Sequence, residues 1–160
     1  MEEIKYKPIG LIHSPFKDPK GMPIQPAGAK GIAGTIEIDT EYADGLRDLE
    51  EFSHIILLYH FHLSNGYSLV VKPFMDDASH GVFSTRAPRR PNSIGLSVVK
   101  LAKIEGFTLY IEDVDVVDGT PLLDIKPYVP EFDVTKVERI GWLSTKADRV
   151  HEVKADERFR

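Results

Sequence analysis

Phe83-Ser84-Thr85-Arg86-Ala87-Pro88-Arg89-Arg90-Pro91-Asn92-Ser93-Ile94-Gly95-Leu96-Ser97 carries the chain out of a short apolar strand, through a loop of prolines and arginines, into a second strand. Pro88 and Pro91 fix φ and withhold backbone donors, so this connection is stiff and belongs to neither a helix nor a central strand. Past Asn92 the apolar spacing resumes at Ile94, Leu96, Val98, Leu101 and Ile104, a long strand with a bulge expected near Lys100. No Asp or Glu occurs from Ala78 to Ile104, whereas Arg86, Arg89, Arg90, Lys100 and Lys103 all do. Guanidinium forks held on a stiff loop suit carboxylates, phosphates and base edges. The plainer alternative is a rigid surface turn with solvated charges.

Outward from this stretch the chain reads as short strands separated by turns. Residues 107–111 alternate after the Glu105-Gly106 turn, and residues 114–117 and 122–125 form two short strands around the cluster Asp118-Gly119-Thr120-Pro121. Upstream, residues 52–63 contain the apolar run 55–59, expected to be a central strand buried on both faces. Residues 67–71 are expected to pair with it through the Asn65-Gly66 turn. Residues 7–12 and 34–39 are further strands, and residues 41–49 are the best helix. Residues 17–31 are dense in Pro and Gly, a long loop of the kind that is functional or mobile. Beyond Ser144 a charged, helix-compatible tail has little to bury, and its end is expected to fray; Ile140-Gly141-Trp142-Leu143 is the apolar exception. The expectation is an all-β chain: a small closed or partly closed β-barrel with one short helix and long loops, over residues 1–135, followed by an extension over 136–160. Without strand-helix alternation or a Gly-rich strand-to-helix turn, a dinucleotide-type domain is not expected.

The formal net charge of −5 argues against indiscriminate nucleic-acid binding, although a local basic island needs only a local field. The absence of cysteine excludes disulfides, thiolate metal sites and Cys nucleophiles. Neither a signal-peptide pattern nor a membrane-spanning apolar run is present, so the chain is expected to be cytoplasmic, with no membrane partner.

His54, His60 and His62 share parity along one strand, and His60-Phe61-His62 can chelate a metal, with His80, Asp76 or Asp77 as a third ligand. A polar strand face is the better reading, and no metal is expected. In the run from Glu112 to Asp118, Asp113 and Asp115 are expected on one face and Glu112 and Asp118 on the other. Such carboxylates serve as acid and base, as Mg²⁺ ligands or as partners of a polar cofactor; a charge-protected edge strand is the plain alternative.

The opening stretch resembles the signature F-x-T-R-x-x-x-R-P-N-P-I-G-L-S of the TsaA/TrmO family. Supporting matches are Ile9 to Phe16, Gln25-Pro26, Leu49 to His54 and Asp115 to Tyr128, with Ser93 standing where the family has proline. The resemblance implies a small β-barrel that binds S-adenosylmethionine, works as a homodimer, and methylates the N6 nitrogen of threonylcarbamoyladenosine beside the tRNA anticodon. Bacterial members carry a further C-terminal domain, and this chain is similar to shorter, archaeal-type members. Carried over by motif position, the cofactor contacts are Gln25, Pro26, Ala27, Gly28, His62, Leu63, Arg86, Leu96, Glu112, Asp113, Val114 and Asp115. Arg89, Arg90 and Asn92 are then left facing tRNA. No catalytic base is assigned; Asp115 is the candidate by position. The alternatives are a non-catalytic RNA-binding β-barrel, a metal-dependent hydrolase built on the histidines, and methyl transfer to a different small or RNA substrate.

Overall fold

Strands that turn every second side chain toward a common interior, as these do, can close on one another, and here they do. The computed structural model describes residues 2–159. Its strands are β1 (Gly10–His13), β2 (Ala33–Ile38), β3 (His54–His60), β4 (Val70–Val71), β5 (His80–Gly81), β6 (Ile94–Glu105), β7 (Thr108–Glu112) and β8 (Thr120–Pro127). A closed barrel runs in the order β1-β2-β7-β6-β3-β8, with every neighbouring pair antiparallel. Closure removes both sheet edges. Ile12, Ile36, Ile38, Ile55, Leu57, Val99, Leu101, Leu109, Ile111 and Leu122 fill the interior, fully or nearly buried. Each such side chain contributes about 1.5–3 kcal/mol of hydrophobic burial. The bulge in β6 falls between Leu101 and Lys103, close to where the sequence places it.

Three local expectations are corrected. β3 is buried on one face only: Ile55, Leu57 and Tyr59 point inward while Ile56 and Leu58 are half-buried outside. Asn65-Gly66 makes no hairpin with β3, because β6 and β8 already occupy both of its edges. The segment docks on the arginine loop instead, where Ser64 Oγ donates to the Pro88 carbonyl at 3.2 Å and the Ser68 N–H donates to the Arg89 carbonyl at 3.3 Å. β4 pairs with β5 in a separate two-stranded ribbon. The expected helix over 41–49 is a 3₁₀ turn, Thr40–Leu46, followed by another, Leu49–Glu51, with Asp48 at φ 65 between them. Among the described residues the one α-helix is α1 (Pro130–Asp133).

The other corrections bear on the site. Residues 114–117 form no strand: Asp113 takes φ 68 just after β7, and the chain crosses the barrel end with Val114, Asp115 and Val116 buried. The tail does not fray free of the body. The Ala155 N–H donates to the Met22 carbonyl at 2.9 Å and the Gly21 N–H donates to the Ala155 carbonyl at 2.7 Å, so the tail staples down the Pro/Gly loop. Phe159 packs on the small cluster of Val71, Val82 and Ala87. What it buries is the underside of the loops, a partner that a periodicity argument cannot see.

Candidate active site at the open end of the barrel

The end of β3 and the starts of β6 and β8 meet at one mouth of the barrel, and the loops above them enclose a cavity of about 770 Å³. That volume lies within the range of small-molecule sites. Its floor is polar. Ser97, buried on β6, donates its hydroxyl proton to Asp115 Oδ1 at 2.6 Å. With that proton committed, Ser97 Oγ accepts from the Tyr59 hydroxyl, 3.0 Å away. Tyr59 reaches this position because its register partner on β6 is Gly95; a Cβ there would run into the Tyr59 ring. Burial pushes the Asp115 carboxyl up to about 6, with the Ser97 hydrogen bond, its own backbone N–H and the Arg86 charge pulling it partly back. Burial also lifts the Tyr59 phenol above its ordinary range, helped by the Asp115 charge, so it remains a neutral donor.

Arg86 sits at the shoulder of the opening stretch and donates Nη1 to Gln25 Oε1 at 2.6 Å, tying the arginine loop to the Pro/Gly loop across the cavity. His62 stands beside Thr120, with Nδ1 3.3 Å from Oγ1. The Thr120 hydroxyl proton goes to the Val117 carbonyl at 2.7 Å, which makes His62 Nδ1 the donor and leaves Nε2 as an acceptor. Burial, then the nearby His60, depresses the His62 pKa, so this ring is neutral at pH 7.

The cavity thus gathers Gln25, His62, Leu63, Arg86, Leu96 and Asp115 from the expected cofactor set. Pro26, Ala27 and Gly28 form the 3₁₀ turn that follows Gln25 and lie outside the lining. Glu112 is paired with Lys100 at 2.9 Å on the barrel wall. Val114 is core. Asp113 accepts the Gly31 N–H at 2.7 Å, so the expectation that Asp113 and Asp115 share a face is corrected by the left-handed turn between β7 and Val114. Asn92 is exposed at the loop tip. Arg89 donates Nε and Nη2 to the Asn65 carbonyl at 3.3 and 3.2 Å, with its guanidinium at the surface. Arg90 is not the free guanidinium that the sequence expects. Its Nη1 donates to the carbonyls of Val82, Thr85 and Ala87 at 3.3, 2.9 and 3.2 Å, stapling the loop from beneath. Among the described residues no group of three or more His, Asp or Glu is placed to hold a metal ion.

Sequence reasoning passes over Tyr59, Ser97 and Thr120. The signal for the first two is parity: a hydroxyl at an inward position of β6, diagonal to an inward tyrosine on β3, is a buried polar pair that must find an acceptor. The tail residues Trp142, Leu143, Val150 and Phe159, which complete the cavity wall, carry no such signal.

Fold and site together define a closed antiparallel barrel that holds a small-molecule cavity with a buried carboxylate at its floor. Residues 11–134 match the tRNA-methyltransferase O N-terminal domain, and the chain belongs to that family. It is 58% identical over 156 residues to a probable S-adenosyl-L-methionine-binding protein of Pyrococcus abyssi, covering 98% of this chain and 85% of that one. It is 42% identical over 135 residues to the tRNA (adenine(37)-N6)-methyltransferase of Mus musculus, covering 79% of this chain and 31% of that enzyme. The crystal structure of TrmO from Pseudomonas aeruginosa superposes with a TM-score of 0.73 at 40% identity, covering 88% of this chain and 63% of that one. The chain therefore spans about a third of the mouse enzyme and under two thirds of the Pseudomonas chain. No helix among the described residues is long and apolar enough to cross a membrane.

Proposed function

We propose that this chain binds S-adenosylmethionine in the barrel-end cavity and transfers its methyl group to the N6 nitrogen of threonylcarbamoyladenosine beside the tRNA anticodon, in the cytoplasm. The observation that carries the reading is the buried relay Tyr59-Ser97-Asp115 at the floor of a cavity whose opposite lip is the Arg86–Gln25 bridge. The donor set fits the cofactor: Arg86 and Gln25 suit a carboxylate and an amino group, His62 Nε2 is a neutral acceptor, and Leu63 and Leu96 supply apolar walls. When bound, S-adenosylmethionine supplies a methyl group already activated on a sulfonium, whose carbon–sulfur bond breaks as the bond to N6 forms.

This chain's own residues then have three tasks. The stiff loops hold donor and acceptor in line, which lowers the entropic part of the barrier. The apolar walls of the half-open cavity, closed over by bound ligands, limit the water that reaches the transfer. N6 must also lose a proton, and the Asp115 carboxylate, with a pKa near 6, is the group that takes it. Ser97, itself held by the Tyr59 hydroxyl, donates to Asp115 Oδ1, so Asp115 Oδ2 is the oxygen offered to the proton. Arg89 and Asn92 face the RNA from the loop tip, while Arg90 acts mainly by keeping the loop in shape. The module over 1–135 carries this chemistry and the extension over 136–160 completes its wall.

A homodimer is part of the same proposal. Leu63, Phe83 and Leu96 are exposed apolar side chains that line the cavity, and Tyr67, Leu69 and Val70 are exposed nearby in sequence to Leu63, apolar surface that favours a second copy. Light scattering is expected to give twice the 18.0 kDa of one chain; a monomer across the micromolar range contradicts it. Calorimetry separates the enzyme from a non-catalytic RNA-binding barrel. The enzyme gives saturable heat with S-adenosylmethionine, at least tenfold weaker in Arg86→Ala, whereas an RNA module gives none.

A further inference from the structure

The tail of the chain supplies one wall of the cavity, and the proposed methyl-transfer chemistry does not use it. Trp142, the only tryptophan in the chain, sits there on the 3₁₀ turn Gly141–Thr145, half-buried. Its orientation is fixed from several sides. Gly141, at φ 59, lets the chain turn into the helix start. The indole Nε1 donates to the Ser84 carbonyl at 2.9 Å. One ring face lies on His80, with centroids 4.5 Å apart and planes 18° from parallel. Asp76 holds His80 Nε2 at 3.0 Å and also pairs with Lys146 at 2.6 Å, four residues beyond the tryptophan. Lys146 first, and His80 second, hold the Asp76 carboxyl well below the usual range, so the clamp keeps its charge at neutral pH.

A tryptophan used as core filling is buried on both faces, with its N–H satisfied inside. This indole has spent its donor on one loop and one face on His80, and what it leaves to the cavity is rigid π surface. Phe83, 77% exposed, and Phe74 line the same space. We infer that Trp142, backed by His80, is a stacking platform for a purine base inside the cavity. The inference rests on the function proposed for this site, in which methyl donor and methyl acceptor each carry a purine. A ring fixed before binding loses little freedom when a base stacks on it, and one stacked base is worth about ten- to hundredfold in affinity.

Because Trp142 is the sole tryptophan, its emission reports this wall alone. The full chain is titrated with S-adenosylhomocysteine and, separately, with a tRNA anticodon stem-loop, while equilibrium dialysis measures binding of the same ligands. The platform predicts quenching that follows the dialysis isotherm for at least one ligand, which identifies the source of the purine. It also predicts a loss of about tenfold or more in that ligand's affinity in Trp142→Ala, largely restored in Trp142→Tyr. Binding of both ligands with unchanged emission, and wild-type affinity in Trp142→Ala, overturns the platform and leaves the proposed function standing. Dialysis without binding of either ligand overturns both. If Trp142→Ala does not fold, Trp142→Leu and the wild-type titration still decide the question.

Discussion

Ser97 has one proton to give, and Asp115 takes it; that single fact orients the whole floor of the cavity. Removing the hydroxyl in Ser97→Ala leaves the Tyr59 phenol and Asp115 Oδ1 buried without each other's bridge, a cost of about 1–3 kcal/mol. Chemical denaturation of variant and wild type measures it directly. Asp115 also sets a pH dependence. Its folded pKa of about 6 is raised from 3.8, so the fold holds the proton more tightly than the unfolded chain does. The associated stability is fully present below the unfolded value and is lost as pH rises through about 6. On the proposed role of Asp115 as base, activity runs the opposite way, because only the ionised carboxylate accepts a proton. Asp115→Asn is therefore expected to raise stability at pH 8 by about 1–3 kcal/mol, with the gain vanishing near pH 4, while abolishing turnover. A wild-type rate that climbs through pH 6 to a plateau accords with this; a rate that is flat from pH 5 to 8 contradicts it.

At the scale of elements, the strands were legible from period-two alternation, as in β2, where Ile36 and Ile38 point to the interior. In β6 the apolar series Ile94, Leu96 and Val98 faces outward instead, and Gly95, Ser97, Val99 and Leu101 face inward. Closure was legible only as a class. The Asn65-Gly66 turn misleads because hairpin chemistry is local, whereas the fate of β3's edges is decided by β6 and β8 far along the chain. The acidic run misleads for a similar reason. Asp113 can adopt a left-handed turn, and the alternation that would align it with Asp115 ends there. The arginine loop divides by role in a way that residue type does not predict: Arg86 to the cavity, Arg89 to the surface and Arg90 to its own carbonyls. Arg90→Ala is expected to lose about 1–3 kcal/mol of stability, because the Val82, Thr85 and Ala87 carbonyls lose the one guanidinium nitrogen that serves all three, while Arg90→Lys, whose ammonium carries three N–H donors, is expected to lose less. Arg89→Ala should instead leave folding and cofactor affinity intact, weaken tRNA binding, and reduce the slope of log affinity against log salt by about one. Filter binding at several salt concentrations distinguishes the two.

For the whole molecule, a closed barrel provides a rigid rim, and loops drawn from distant parts of the chain are tied across it. Arg86 to Gln25, Met22 to Ala155 and Trp142 to Ser84 each join segments far apart in sequence. On the proposed function, donor and acceptor are held in fixed relation by that tying rather than by any one residue. The methylated product is the most direct test. Wild-type chain is incubated with tRNA bearing threonylcarbamoyladenosine and with S-adenosylmethionine carrying an isotopically labelled methyl group, and the nucleosides are then digested and separated by mass spectrometry. The predicted result is one labelled methyl on N6 of threonylcarbamoyladenosine, absent with Asp115→Asn. Recovery of that nucleoside unlabelled, from tRNA that the protein demonstrably binds, contradicts the account.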